Sequence, residues 1–133
     1  MVGVVIVSHS RQIAEGVVEF CKQMVFSEEA IIKGVGGLED GSLGTDIENI
    51  ATAIRESDVG DGVVILADLG SSILSADMAV ELLGEEAKSR VKIADAPIVE
   101  GAFAAVVQAS LGSPLENVVA SAENARSFKK LNN

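Results

Sequence analysis

Four short apolar runs, at residues 2–7, 30–35, 62–67 and 91–94, alternate with segments of helical periodicity along the whole 133-residue chain. Runs of this length rich in β-branched residues read as buried strands. Strict alternation with helices favours a parallel sheet joined by right-handed crossovers over segregated α and β parts. The core must be aliphatic, because hydrophobic residues make up 48% of the chain and aromatic ones only 3%, with neither Trp nor Tyr. Val, Ile, Leu and Ala suit strands covered by helices on both faces. The expected fold is therefore α/β, an open, mainly parallel β-sheet with helices on both faces. Residues 1–133 are long enough for one domain that buries about two thirds of its unfolded surface.

The helices are read from their apolar spacing. The first is expected over 11–24, with Ile13, Val17, Phe20 and Met24 as its stripe and Cys21 in the core. The second, about 46–56, follows Thr45 and Glu48 at capping-box spacing, with Ile47, Ile50, Ala51 and Ile54 facing inward. The third carries Leu74, Met78 and Leu82 on one face and meets a stop signal at Gly84. Residues 98–110 form an almost wholly apolar helix. Ser113, Pro114 and Glu116 open the last, with a cap, a first-turn proline and a reciprocal glutamate. Leu115, Val118, Val119, Ala122 and Phe128 are expected to hold that helix to the core.

Ten basic against twenty acidic residues give a formal charge of −10, which opposes approach to nucleic acid or anionic lipid. The lone Cys21 cannot form an internal disulfide. The chain opens directly on strand without the charged region and cleavage site of a signal peptide. Its longest uncharged stretch, residues 101–115, is short for a membrane span and includes Gln108, Gly112 and Pro114. These features lead to the expectation of a cytoplasmic protein without nucleic-acid or membrane partners. There is no His and Cys pair for zinc, and the acidic residues lack a ligand spacing, so no metal is expected.

Three strand ends carry polar residues that would converge at the carboxyl edge of the sheet: His9, Asp68 and Asp95. That edge is where open α/β sheets place ligands. An imidazole is a nucleophile at one nitrogen only when the other holds the proton, and a carboxylate accepting that proton fixes the tautomer. Asp68 is the candidate for this role beside His9, the chain's single histidine. Gly70, Ser71 and Ser72 open the third helix, where N–H groups and hydroxyls could receive phosphoryl oxygens. Arg11 could neutralise such a group, although an exposed first-turn arginine is the commoner case. Gly36, Gly37, Gly41 and Gly44 match neither a Walker loop nor a dinucleotide fingerprint, and turn geometry explains them equally well.

The segments VVIVSHSRQIAEGV, GGLEDGSLGTD, VVILADLGSS and IADAPIVEGAFAA, in this order, resemble the phosphotransfer subunits of phosphoenolpyruvate-dependent dihydroxyacetone kinases. These subunits are a branch of the mannose-type enzyme IIA family. The resemblance covers almost the whole chain, and GGLEDGSLGTD is the segment most particular to the branch. It implies that His9 accepts a phosphoryl group from the phosphocarrier HPr, on Nε2, while Asp68 holds the Nδ1 proton. It further implies transfer to ADP on a nucleotide-binding kinase subunit, with no tightly bound cofactor beyond the phosphoryl group itself. Ser10, Arg11, Gly37, Gly41, Thr45, Gly70, Ser71 and Ser72 are the phosphoryl-stabilising or partner-contact candidates. Family members with extra HPr-like domains are longer, so a separate HPr is expected. Homodimers are also implied, and the apolar helix at 98–110 or a neighbouring strand is the expected interface. The alternatives are an enzyme IIA of a mannose-type sugar permease, a regulatory domain that senses phosphorylation, and an unrelated α/β ligand binder.

Overall fold

The computed structural model describes residues 1–132. Strands β1 (Gly3–Ser8), β2 (Ile32–Gly36), β3 (Val63–Ala67) and β4 (Val91–Ile93) form one sheet in the order β2-β1-β3-β4. Every neighbouring pair is parallel. Six helices connect and cover them: α1 (Arg11–Met24), α2 (Ile47–Ser57), α3 (Gly70–Leu83), α4 (Glu85–Arg90), α5 (Ile98–Ser110) and α6 (Leu115–Asn124). A 3₁₀ turn, Ala125–Ser127, follows.

Side chains alternate across the pleated strands, so β1 supplies both cores. Val4 and Ile6 pack with Val64 and Leu66 against α1, α5 and α6. Val5 and Val7 pack with Val63 and Ile65 against α2 and α3. The fold is the one the alternating pattern predicts. The short α4, between the stop at Gly84 and β4, has no counterpart in the sequence reading because six residues with no buried side chain leave no periodic stripe.

The helical stripes differ from expectation in a consistent way: small residues face the sheet. On α1 the buried residues are Ala14, Val17 and Cys21, whereas Ile13, Phe20 and Met24 are about half exposed. A Cβ placed on Gly34 of β2 would lie 3.0 Å from the Ala14 carbonyl oxygen, so α1 approaches the sheet too closely for a large side chain. On α3 the buried residues are Ser72, Ala76, Ala79 and Val80, and Leu74, Met78 and Leu82 are exposed. The apolar surplus of α5 is absorbed within the chain, since Gly101, Ala102, Ala105, Val106 and Ala109 are buried against the sheet, α1 and α6. Cys21 lies in the core as expected, and burial pushes its thiol up to about 11.

Two caps and one core residue also need correction. Asp46, not Thr45, caps α2, its carboxylate accepting from the N–H groups of Glu48 and Asn49. An aspartate one residue closer to the helix wins because its carboxylate reaches both amides. Ser113 does not cap α6, because its hydroxyl donates to Gln108 Oε1 at 2.8 Å and Pro114 takes the cap position. Phe128 is 58% exposed, beyond the turn that ends α6.

Candidate functional site

The register of β1 on β3 builds the site. Val7 pairs with Ala67, so the residues that follow them, Ser8-His9 and Asp68, emerge side by side at the carboxyl edge. The Asp68 N–H continues the ladder to the Val7 carbonyl at 3.2 Å. Beyond this point the chains diverge into α1 and α3, and β1 lies between β2 and β3, so the edge opens at the switch in strand order.

Asp68 is the organising group. Its Oδ1 accepts from the Leu69 N–H at 2.7 Å and the Ser72 hydroxyl at 2.6 Å, and lies 3.0 Å from His9 Nδ1. Its Oδ2 accepts from the His9 N–H at 3.0 Å and the Ser8 hydroxyl at 2.8 Å. Burial opposes the charged form, but the bonds from Ser72, the His9 backbone, Ser8 and Leu69 outweigh it and hold the carboxyl well below the usual carboxylate range. An ionised carboxylate only accepts, so the His9 nitrogen facing it must be the donor.

The assignment of protons follows outward from there. Ser72 spends its proton on Asp68, so its oxygen, 3.1 Å from His9 Nδ1, shares the Nδ1–H as a second acceptor. His9 Nε2 is then the nitrogen with the lone pair, and the Ser71 hydroxyl donates to it at 2.5 Å. Adjacent serines thus attend opposite edges of one ring. Ser71 is exposed and Ser72 is wholly buried, while the His9 side chain is 25% exposed. The nucleophilic edge faces solvent and the protonated edge faces protein.

The remaining candidates fall around this centre. Ser10 caps α1 by accepting the Ile13 N–H, and Arg11 is exposed in the first turn. Gly37, with φ 73°, is buried against Arg11, and a Cβ there would sit 3.4 Å from the Arg11 nitrogen. Gly41 is exposed at the loop tip. Thr45 shares a 2.6 Å hydrogen bond with Ser75 of α3, and the Gly44 N–H donates to the His9 carbonyl at 2.9 Å. The 37–45 loop is therefore fastened to both the His9 turn and α3. Gly70 is the first residue of α3, whose N-terminus has no side-chain cap, in contrast to α1 and α2.

Asp95 does not join them. β4 stops at Ile93, and Asp95 turns toward α6, its N–H donating to Glu123 and its carboxylate pairing with Arg126 at 3.3 Å. A three-residue edge strand, with local partners downstream, carries its end away from the centre. Among the described residues no group of three or more His, Cys, Asp or Glu is placed to hold a metal ion, and no helix is long and apolar enough to cross a membrane.

Ser8 contributes to the site with no signal of its own in the sequence, and Gly36 contributes by close packing rather than by turn geometry. Ser8 looks like the end of an apolar strand, yet its hydroxyl is buried and committed to Asp68. Gly36 lets β2 pass beneath the His9 turn, since a Cβ on it would meet the Ser10 carbonyl oxygen at 2.5 Å and that of Ser8 at 2.9 Å. Gly36→Ala is expected to displace this turn and lower stability by about 1–3 kcal/mol, as overpacking does. Denaturant unfolding and the His9 ring signals measured together check this, and an unchanged midpoint with unshifted signals would contradict it.

Residues 3–119 match the EIIA-man family model, described as the fructose IIA component of the phosphotransferase system. The phosphoryl donor subunit DhaM of PEP-dependent dihydroxyacetone kinase 2 from Listeria innocua is 44% identical over 119 residues, covering 90% of this chain and 94% of the relative. The DhaM subunit from Escherichia coli K12 is 39% identical over 132 residues, 98% of this chain but only 28% of the longer relative. A crystal structure of a protein of unknown function superposes with a TM-score of 0.85 at 41% identity, covering 99% of this chain and 100% of that one. An EIIA component from Streptococcus agalactiae shares the fold alone, with a TM-score of 0.68 at 14% identity over 94% of this chain and 92% of that one.

Proposed function

The chain belongs to the mannose-type EIIA family, among the DhaM phosphoryl donor subunits, and from that membership we propose that it is a phosphohistidine carrier serving a dihydroxyacetone kinase. His9 takes the phosphoryl group from phospho-HPr and delivers it to ADP on a nucleotide-binding kinase subunit. The observation that carries this reading is the geometry at His9, with Asp68 Oδ1 3.0 Å from Nδ1 and the Ser71 hydroxyl at Nε2, an arrangement that favours a proton on Nδ1 and a lone pair on Nε2.

In the loading step, His9 Nε2 forms a bond to phosphorus as the N–P bond of phospho-HPr breaks and the electron pair returns to the HPr imidazole. No proton moves at Nε2, and the positive charge that develops on the His9 ring is stabilised by Asp68 at Nδ1. The Ser71 hydroxyl leaves the lone pair and is placed to donate to a phosphoryl oxygen instead. The Gly70 and Ser71 amides at the start of α3, which has no side-chain cap, together with Arg11, favour the added negative charge. In the unloading step an oxygen of the ADP β-phosphate attacks the phosphorus and the N–P bond to His9 breaks. Phosphoryl transfer needs little more from a protein than such positioning. Ser72 is committed to Asp68 on the Nδ1 side, so its part is to hold the carboxylate rather than to contact the phosphoryl group.

The relay is tested by incubating the protein with phosphoenolpyruvate, enzyme I and HPr, then adding ADP-loaded nucleotide subunit. An adduct on His9 in the intact mass, lost as ATP forms, supports the kinase relay. An adduct that persists with ADP but moves to a permease IIB acceptor supports the sugar-permease alternative.

We place the dimer interface of this carrier on α3 rather than α5. Leu74, Met78 and Leu82 are 65%, 56% and 60% exposed at successive turns, whereas the apolar surface of α5 is largely used within the chain. Two copies carrying −10 each meet at least electrostatic cost on a face with few charges, and α3 carries only Asp77 and Glu81. Sedimentation of the wild type is expected at the dimer mass and of Met78→Glu at the monomer mass. A wild type that stays monomeric across micromolar concentrations would overturn this.

A further inference from the structure

We propose that Ser8 is a positioning residue of the phosphocarrier, setting the His9 tautomer through Asp68 without touching the ring. The proposal rests on the carrier reading for its consequence in transfer, and on geometry alone for its effect on the ring. Ser8, Ser57 and Ser72 are the buried polar residues among the described residues, and two of these three hydroxyls donate to the same carboxylate.

The proton of Ser8 has one destination. Its Oγ accepts the Ser10 N–H at 3.0 Å, and Asp68 Oδ2, 2.8 Å away, can only accept. Ser8 therefore grips Oδ2 from the end of β1, while Ser72 grips Oδ1 from the first turn of α3. Together with the His9 and Leu69 N–H groups, the two hydroxyls hold the carboxylate at both oxygens with Oδ1 aimed at Nδ1. Ser72 also lies 3.1 Å from Nδ1 itself. Ser8 is the cleaner case, because it reaches the imidazole only by way of Asp68. Through Ser10 it also joins the carboxylate to the turn that carries His9 and caps α1. Loss of its hydroxyl leaves Oδ2 with the His9 N–H as its one donor, while Oδ1 keeps the Leu69 N–H and the Ser72 hydroxyl, so the carboxylate is held less firmly on the Oδ2 side and the Nδ1–H bond weakens.

The test compares wild type, Ser8→Ala and Ser8→Thr. Ring nitrogen signals of the unphosphorylated protein are recorded in long-range ¹H–¹⁵N spectra at about pH 8.5, where an imidazole is ordinarily neutral. Initial rates of phosphoryl uptake from phospho-HPr and thermal unfolding are measured on the same samples. The wild type is expected to show a protonated Nδ1 and an unprotonated Nε2. Ser8→Ala is expected to move both signals toward the opposite tautomer and slow uptake about tenfold, the scale typical of groups that orient a reactive side chain. Ser8→Thr, which keeps the hydroxyl, is expected to restore both. Should Ser8→Ala fail to fold, Ser8→Cys carries the same comparison, being similar in shape and only a weak donor. Wild-type ring signals in a folded Ser8→Ala or Ser8→Cys protein would overturn the proposal. The spectra need no phosphoryl donor, so they decide the role of Ser8 even where the wild type takes up no phosphate, an outcome that would defeat the carrier reading instead.

Discussion

His9→Ala is expected to abolish the phosphoryl adduct that wild type acquires from phosphoenolpyruvate, enzyme I and HPr, a loss of roughly 10⁴-fold or more in uptake rate. The neighbouring oxygen groups do not replace the imidazole. Ser71 is the hydroxyl nearest the position a phosphoryl group would take, but among the described residues its hydrogen-bond partner is the His9 ring that the substitution removes. Asp68 lies on the protected side, where its oxygens already accept bonds from Ser8, His9, Leu69 and Ser72. The fold should survive. The His9 side chain is partly exposed, and its loss deprives Asp68 of one donor of five while leaving both backbone donors and both serines in place. Stability is expected to change by less than about 1 kcal/mol, within the range of most substitutions outside a core. Intact-mass measurement after incubation, with unfolding followed in parallel, separates chemistry from folding. An adduct forming on His9→Ala at the wild-type rate would remove His9 from the mechanism.

Much of this arrangement is legible in the sequence because two strong signals coincide. The runs around Val4–Val7 and Val63–Leu66 are short and rich in β-branched residues, which favours buried strands, and the polar residues that end them, His9 and Asp68, then fall on a common edge. The strand order that makes them neighbours is not in the local pattern. It depends on crossovers, and Asp95, which ends a strand equally well in sequence, is drawn to Arg126 instead. The inward faces of α1 and α3 are hidden from the sequence pattern for a related reason. Hydrophobicity ranks Ile13 above Ala14 and Leu74 above Ala76, but the space between α1 and the sheet is narrow, since a Cβ on Gly34 would lie 3.0 Å from the Ala14 carbonyl oxygen. Where backbones approach this closely, size decides which apolar residue turns inward. Ser8 carries no signal in the sequence, because a hydroxyl closing an apolar strand looks like the start of a turn and the position of Asp68 is what gives it a partner.

Asp68→Ala is expected to slow phosphoryl uptake by about ten to a thousandfold, through loss of orientation and tautomer control rather than loss of the nucleophile. With the carboxylate gone, the Nδ1–H keeps only the Ser72 oxygen as a partner, and the ring is free to take the tautomer that places a proton on Nε2. Asp68→Asn is expected to be at least as slow. An amide has one accepting oxygen for two positions that both receive donors now, so either the Leu69 N–H or the His9 N–H faces an NH₂ group. With the NH₂ on the Oδ1 side, it donates to Nδ1 and selects the unreactive tautomer outright. Both substitutions also strand buried donors, at about 1–3 kcal/mol each, so rates are to be compared on samples shown to be folded. The pH dependence supplies a second readout. The folded carboxyl sits below its ordinary value, so its contribution to stability is fully present above the unfolded pKa of about 4 and is lost as pH falls through the lowered folded value. Unfolding free energy measured from pH 7 downward should therefore fall less steeply in acid for Asp68→Ala than for wild type. Transfer at the wild-type rate by a folded Asp68→Ala protein would show that the imidazole holds its reactive tautomer without the carboxylate, and the proton lock would cease to be the basis of the carrier reading.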